Sequence, residues 1–150
     1  HAHIDCKRRE PWLFPDNVKN AIRKAIRLRY AFLPYWYTLF YEHSLTGAPP
    51  MRPLWVEFPT DEDSFDEERE WLVGRGLLVR PVLDPGKTSI SLYLPGRRNV
   101  MWYEWHTHKP RPAPGAIYMD SPLDFIPLMQ LGGTIIPTRE RVRRSSALSR

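Results

Sequence analysis

The sequence predicts an α+β chain in which one long helix is followed by a small antiparallel β-sandwich. Two changes of pattern support this fold class. Apolar residues recur every three to four positions from Val18 to Leu39, and beyond residue 70 the period falls to two. The 16 prolines argue in the same direction, because proline suits turns and edge strands and is excluded from most helix interiors.

The helix is predicted to begin at Asp16 or Asn17, either of which can cap the free N–H groups of a first turn, and to end near Gly47. Pro34 lies inside this span and removes one backbone donor, so a kink is expected at residues 30–33. Beyond the kink the run YWYTLFY is apolar on most faces, and this half of the helix is expected to be deeply buried.

After the helix, residues 51–59 alternate like a strand but contain Pro53, which predicts an edge strand or an extended segment. The acidic loop at residues 60–69 is the predicted domain boundary. Short apolar runs separated by turn signals then predict a sandwich, with a loop at 106–115. The predicted strands are 71–73, 77–82, 89–94, 100–105, 116–119, 126–130 and 134–136.

Composition excludes several classes of function. The net charge of +5 is partly due to the arginines of the C-terminal tail, and an acidic run at residues 61–70 interrupts the basic balance, so no nucleic-acid partner is expected. No window reaches the roughly 20 apolar residues of a membrane span. The single cysteine, Cys6, excludes an internal disulfide.

The first fourteen residues, HAHIDCKRREPWLF, contain the densest group of side chains that could contact a substrate. His1 and His3 could bind copper if His43, His106 or His108 supplied a third ligand. They could equally be ordinary surface histidines. In a third interpretation, a histidine at the end of a barrel strand donates to a sugar hydroxyl, which a neutral imidazole matches in its one donor and one acceptor.

The sandwich alone cannot cover a helix that is aromatic on most faces. The helix is therefore expected to belong to a repeating α/β body whose other members precede residue 1.

An alternative function is that of a non-catalytic carbohydrate-binding module, in which Trp102, Tyr103 and Trp105 would stack on sugar. We favour the interpretation that these aromatic residues face the core.

Several motifs occur together in one order: HAH with KRREPW, MRPLWVEFP, LLVRPV, LYLPG, MWYEW, LGGTIIP and RVRRSS. Their combination resembles the C-terminal part of glycoside hydrolase family 31 across essentially the whole chain. The resemblance implies the last loop and helix of a TIM (β/α)8 barrel at residues 1–60 and a proximal β-sandwich at 61–138. Residues 139–150 would be a basic tail or the start of a distal β domain.

The resemblance implies a retaining α-glucosidase that works with two aspartates about 5 Å apart and needs no cofactor. Both aspartates match positions before His1, so no catalytic residue is expected in this chain, and the isolated chain is expected to be inactive. His1 is the one residue expected to bind substrate, through glucose hydroxyls, and no metal site is expected. Asp5, Glu10 and Asp124 are expected to be structural, paired with cations such as Arg8, Arg9 or Arg52.

The members that this chain most resembles remove α-linked glucose from N-glycans in the endoplasmic-reticulum lumen. They work with a separate non-catalytic β subunit, and both properties are expected of the parent enzyme. The sequence departs from the family pattern at Arg75, Gly76, Arg80 and Leu131, all in the sandwich, so these changes are expected to affect packing more than chemistry.

Overall fold

The computed structural model describes residues 3–139. A 3-10 turn at Pro11–Leu13 leads into two consecutive helices, α1 at Asp16–Ala31 and α2 at Leu33–Thr46. The predicted kink is confirmed as a complete break at Phe32, because Pro34 stands at the start of α2 and has no N–H to donate to the preceding turn. The helix ends as predicted at Gly47, which has a φ of 75° and donates its N–H to the His43 carbonyl.

The predicted N-terminal cap is wrong in detail. Pro15 occupies the cap position and no side chain bonds the free N–H groups of the first turn. Asp16 is instead the first helical residue and forms an ion pair with Lys19, with 2.5 Å between Oδ1 and Nζ. A carboxylate in the first turn still favours the helix, because it lies near the positive end of the helix dipole.

The strands that follow α2 are β1 Met51–Arg52, β2 Trp71–Val73, β3 Leu77–Val79, β4 Ser89–Leu94, β5 Met101–Glu104, β6 Pro110–Pro112, β7 Gly115–Asp120 and β8 Leu128–Leu131. A single helical turn, α3 at Leu54–Glu57, follows β1. The strands form two antiparallel sheets, one of six strands in the order β1-β2-β3-β8-β5-β6 and one of two strands, β4-β7.

The predicted antiparallel β domain is confirmed, with local corrections. β1 is an edge strand as expected, but α3 replaces the rest of the predicted extended segment. The predicted loop at 106–115 contains β6, which tolerates Pro110 and Pro112 because it is the opposite edge of the six-stranded sheet. Residues 134–136 form no strand. The domain boundary predicted at 60/61 stays a prediction.

Two hydrophobic clusters hold the described residues together. The first fills the sandwich between the two sheets and is centred on Trp102, which is fully buried with Leu72, Leu78 and Leu94. The second lies between the helices and the outer side of the six-stranded sheet. We call it the junction core; its buried members are Phe32, Tyr35, Leu39, Val73, Leu77 and Leu128.

Close backbone approach defines the junction core. The Tyr35 hydroxyl donates to the Val73 carbonyl at 2.8 Å. A Cβ added at Gly74 would overlap the Tyr35 hydroxyl and lie 2.6 Å from Leu39 Cδ2, and Gly74 has a φ of +58°. Only glycine fits both the left-handed backbone and the space, so the β2–β3 turn is matched to α2. The two parts of the chain are thereby joined as a packed unit.

The opposite side of α2 corrects the prediction of deep burial. Tyr35 and Leu39 are its buried residues, whereas Tyr37 is 81% exposed and Phe40, Tyr41 and Leu45 are all more than half exposed. We call these four residues the open face. No helix within residues 3–139 is both long and apolar enough to span a bilayer.

Candidate functional site

The first stretch of the chain forms an exposed turn and then an ordered approach to α1. The Cys6 N–H donates to the His3 carbonyl at 3.0 Å, and His3 Nδ1 lies 3.7 Å from Asp5 Oδ2. All residues from His3 to Arg9 are exposed. His1 lies outside the described residues, so its role in substrate binding stays a prediction.

The carboxylates named from the sequence have ion-pair partners, though not all of the expected ones. Glu10 pairs with Arg8 at 2.9 Å, as predicted, and Asp5 contacts His3 instead of an arginine. Asp124 pairs with Lys24 of α1 at 2.9 Å, and that hydrogen bond and charge hold the pKa of Asp124 below its usual value. These contacts agree with structural roles for all three carboxylates.

Arg52, proposed as a partner for these carboxylates, pairs with Glu57 within its own segment. Among residues 3–139, no group of three or more His, Cys, Asp or Glu side chains is arranged to hold a metal ion. His43, His106 and His108 therefore form no such three-ligand group with one another or with described carboxylates. A copper site that includes His1 is outside this test.

The three aromatic residues considered as a sugar-binding platform do not form one surface. Trp102 is fully buried and its indole N–H donates to the Pro95 carbonyl at 2.9 Å. Trp105 packs in the junction core against Phe32, with ring centroids 4.8 Å apart. Tyr103 alone of the three is exposed. The interpretation that these aromatic residues face the core therefore holds for Trp102 and Trp105 but not for Tyr103.

A buried pair of ionisable residues, Glu70 and Arg80, lies inside the β domain and was not predicted as a feature. Arg80 is only 7% exposed and donates to three carbonyls, those of Ser91, Arg69 and Pro81, at 3.0–3.3 Å. Glu70 is 3% exposed; its Oε1 accepts the Tyr93 N–H, and its Oε2 has no partner among the described residues. Arg80 departs from the family pattern in the sequence, but the sequence does not indicate that its side chain is buried.

Burial dominates the electrostatics of Glu70. Desolvation, followed by the nearby Glu67 charge, raises the pKa of Glu70 to about 8, although the Tyr93 N–H and Arg80 act in the opposite direction. The neutral carboxyl group is therefore the form that the folded protein holds at neutral pH. Arg80 is consequently compensated little by Glu70; its guanidinium is held by three carbonyl groups, and its charge also helps to lower the pKa of the nearby Asp84.

The other departures from the family pattern have local explanations. A Cβ at Gly76 would lie 3.0 Å from Thr134 Oγ1 and 3.3 Å from the Tyr35 hydroxyl, so a glycine there relieves a tight contact behind the junction core. Arg75 is exposed in the β2–β3 turn, and Leu131 packs beside the sandwich core opposite Trp102. None of these residues lies in the first stretch.

The helix pair and the antiparallel β domain share the junction core, and the two parts can be compared separately with known families. Two family descriptions match the chain in that order. The Glycosyl hydrolases family 31 TIM-barrel domain matches residues 1–39, and the Glycosyl hydrolase family 31 C-terminal domain matches residues 47–136. The chain belongs to glycoside hydrolase family 31.

Curated relatives match nearly the whole chain. Neutral alpha-glucosidase AB of Dictyostelium discoideum is 49% identical over 147 residues, and the match covers 97% of this chain and 16% of the relative. Neutral alpha-glucosidase AB of Homo sapiens is 46% identical over 146 residues, covering 97% of this chain and 15% of the relative. The chain thus spans about one sixth of the length of these relatives.

Solved structures share the fold as well as the sequence. A glucosidase II alpha subunit bound to Glc1Man2 matches with a TM-score of 0.89 and 36% identity, over 99% of this chain and 16% of that one. A second match is a heterodimeric ER glucosidase II complex, which consists of the catalytic subunit and the binding domain of the regulatory subunit. Its TM-score is 0.88 and its identity 37%, over 99% of this chain and 16% of that one.

A dextranase of Flavobacterium johnsoniae matches with a TM-score of 0.82 and 34% identity, over 91% of this chain and 17% of that one. The same barrel end and β domain therefore occur in enzymes named for different substrates. Membership of the family and the fold are common to all these matches, whereas the named substrate is not.

Proposed function

We propose that this chain is the barrel-end and proximal β-domain part of a retaining α-glucosidase of the glucosidase II type. The parent enzyme removes α-linked glucose from the N-glycans of glycoproteins in the endoplasmic-reticulum lumen, with a non-catalytic β subunit as its partner. The observation that carries the proposal is the match along 99% of the chain to glucosidase II alpha subunit structures. The named relatives, which include a regulatory-subunit complex, support the substrate and the partner.

In this proposal the chain positions substrate and does not perform the bond-breaking step. The two aspartates of a retaining mechanism belong to earlier barrel strands, and none of Asp5, Glu10 or Asp124 takes their place. The contacts of Asp5 with His3, Glu10 with Arg8 and Asp124 with Lys24 support that assignment. The purified 150-residue chain is expected to release no nitrophenol from a nitrophenyl α-glucoside.

We further propose that His1 binds hydroxyls of the glucose in the cleavage subsite and that His3 does not. His3 is two-thirds exposed and turned toward Asp5, which supports a different role for the second histidine of the HAH motif. The open face of α2 is, in the same proposal, the surface on which the earlier part of the barrel packs. Large aromatic side chains left in water are typical of surfaces that another protein part covers.

A chimaeric enzyme tests the proposal with this chain in its proposed context. The matching segment of the Dictyostelium relative is replaced by residues 1–150, and removal of glucose from a glucosylated N-glycan is measured. We expect the chimaera to be active. We expect His1→Ala to lower kcat/KM by about 10- to 100-fold, because an unpaired hydroxyl in a closed subsite costs about 1–3 kcal/mol.

His3→Ala in the same chimaera is the matched control and is expected to change kcat/KM by less than about twofold. Equal losses for both histidines would contradict the assignment to His1. A folded chimaera that hydrolyses other α-glucosides but leaves the N-glycan intact would contradict the proposed substrate. Turnover by the isolated chain would show that the catalytic groups had been wrongly assigned.

A further inference from the structure

A cavity of about 320 Å³ opens on the β domain between the β3–β4 connection and the paired strands β4 and β7. Its chemistry is set by three cations, Arg69, Arg80 and Lys87, against one carboxylate, Asp84, which leaves a local charge of +2. The rest of the lining consists of two serines, Tyr118 and apolar side chains. It lies in the β domain and contains none of the residues of the first stretch.

Arg80 forms the buried base of this cavity. Its Nε donates to the Ser91 carbonyl at 3.1 Å and its Nη1 donates to two further carbonyls. Its Nη2 nitrogen has no acceptor within residues 3–139. Because this nitrogen is not one of the fully enclosed polar atoms without a partner, it is accessible from the cavity. The residue thus presents free N–H donors to the cavity from a position fixed by three hydrogen bonds, which reduces the entropy lost on binding an anion.

The neighbouring charges leave Arg80 free to attract an anion. Glu70 is held largely neutral by burial, so it does not compensate the guanidinium. Asp84 is already engaged by Arg69, with 2.7 Å between Oδ2 and Nη1, and Lys87 on the rim has no ion-pair partner among the described residues. Arg80 feels the charge of Asp84 but forms no ion pair among the described residues, and a buried cation with spare donors and no direct partner is costly unless an anion or water satisfies it.

We propose that this cavity is a binding site for a small oxyanion of the phosphate or sulfate type, with Arg80 Nη2 at its base and Lys87 at its rim. The site is separate from the proposed glucosidase chemistry and does not depend on it. Oxygens of a tetrahedral anion match the forked donors of a guanidinium, and a volume of about 320 Å³ admits such an ion with bridging water.

The test uses inorganic phosphate and the full 150-residue chain labelled with 15N, at pH 7 and constant ionic strength set with chloride. We expect saturable shifts of the Arg80 Nε–H and Ser91 amide signals with a Kd of about 1–10 mM. Lys87→Gln is expected to weaken the affinity by about two- to fivefold. Asp84→Asn is expected to strengthen it by a similar factor, because it removes the one negative charge and releases Arg69.

Lys109→Gln is the matched control, since Lys109 is an exposed lysine on the β5–β6 turn and outside the cavity lining. It removes the same charge and is expected to leave the Kd unchanged. Arg80→Lys keeps the charge but loses the fork and is expected to lower the affinity at least about tenfold; the amide spectrum shows whether that variant folds.

If Arg80→Lys does not fold, Asp84→Asn and Lys87→Gln decide the question, because both residues are exposed. The proposal is overturned if phosphate causes no saturable shift at Arg80 or Ser91. It is also overturned if Lys109→Gln weakens binding as much as Lys87→Gln does, or if Asp84→Asn fails to tighten it.

Discussion

The two sides of α2 both carry large apolar side chains, but their surroundings are opposite. On one side, Tyr35 and Leu39 are buried in the junction core against the β2–β3 hairpin. On the other, Tyr37 and Tyr41 of the open face are mostly exposed. The apolar composition of a helix therefore predicts how many of its faces are suited to burial. Which face is buried in a given chain depends on the element that packs against it.

The difference assigns separate roles to the two faces. The junction core fixes the β domain to the helix pair through shape, as the fit of Gly74 against Tyr35 shows. The open face has no such partner within residues 3–139, and in the proposed function it meets the remainder of the barrel.

The largest expected effect is that of pH on the β domain, through Glu70 beside β4. The folded pKa of Glu70 is about 8 and its ordinary value is 4.5, so the folded state holds a proton that the unfolded state has lost. Stability from Glu70 is thus complete below about pH 4.5 and declines up to about pH 8, by on the order of 3–5 kcal/mol. Urea unfolding at pH 5, 7 and 9 measures it.

Glu70→Gln is expected to remove most of that dependence, because the amide oxygen still accepts the Tyr93 N–H and does not titrate. The helix and β-sheet signals should lose stability together if the junction core couples them. An unchanged dependence of stability on pH in Glu70→Gln would contradict the role of Glu70.

Glu104 has the opposite effect on the pH dependence of stability. Burial raises its pKa, but hydrogen bonds from Thr107 and Arg111 lower it overall. Its contribution to stability is present above pH 4.5 and declines as the pH falls through the lowered value.

Leu39→Ala is expected to lower the free energy of unfolding by about 3 kcal/mol, because Leu39 is 4% exposed and its loss leaves a cavity in the junction core. Tyr37→Ala, two positions earlier on the open face, is the matched control and is expected to cost less than about 0.5 kcal/mol. Urea midpoints of the two variants measure the contrast directly. Similar losses would mean that the two faces do not differ in the way described.

Gly74→Ala is expected to cost about 2–3 kcal/mol, since it adds a left-handed backbone penalty to a clash with Tyr35 and Leu39. Gly47→Ala isolates the first contribution. Gly47 has a similar φ of +75°, but an added Cβ would have nothing within 4 Å, so a loss of about 1 kcal/mol is expected. If both variants lose the same amount, the β2–β3 turn does not depend on its fit against α2.

The smallest expected effect is that of Tyr35→Phe. It removes the hydroxyl that donates to the Val73 carbonyl at 2.8 Å and keeps the ring in the junction core. A loss of about 1 kcal/mol is expected, which thermal unfolding resolves against the parent chain. A loss close to that of Leu39→Ala would mean that the hydrogen bond contributes more to the junction than packing does.

Sequence periodicity predicted the helices and most of the strands, because both kinds of element depend on local patterns of apolar residues. The break at Phe32 followed from Pro34, and β2, β4, β5 and β8 followed from short apolar runs. β6 was missed because Pro110 and Pro112 read as a loop unless the strand is known to be an edge. The burial of α2 was mispredicted because apolar character does not specify whether a partner is present.

The candidate site was less accessible to sequence reasoning. The motifs identified the family, yet the residue they single out, His1, lies outside the described residues. Ion pairs between distant positions, such as Lys24 with Asp124, depend on tertiary contacts that no spacing encodes. Arg80 was noticed as an unusual residue, but the cavity around it arises only when the β3–β4 connection packs beside β7.

In the proposed function, one face of α2 packs on the β domain and the other packs on the earlier part of the barrel. Tyr37→Asp combined with Tyr41→Asp tests this assignment in two contexts, the 150-residue chain and the chimaeric enzyme. We expect the double variant to leave the urea midpoint of the chain unchanged and to abolish folding or glucosidase activity of the chimaera. Full activity of the double variant in the chimaera would contradict the assignment of the open face to the barrel.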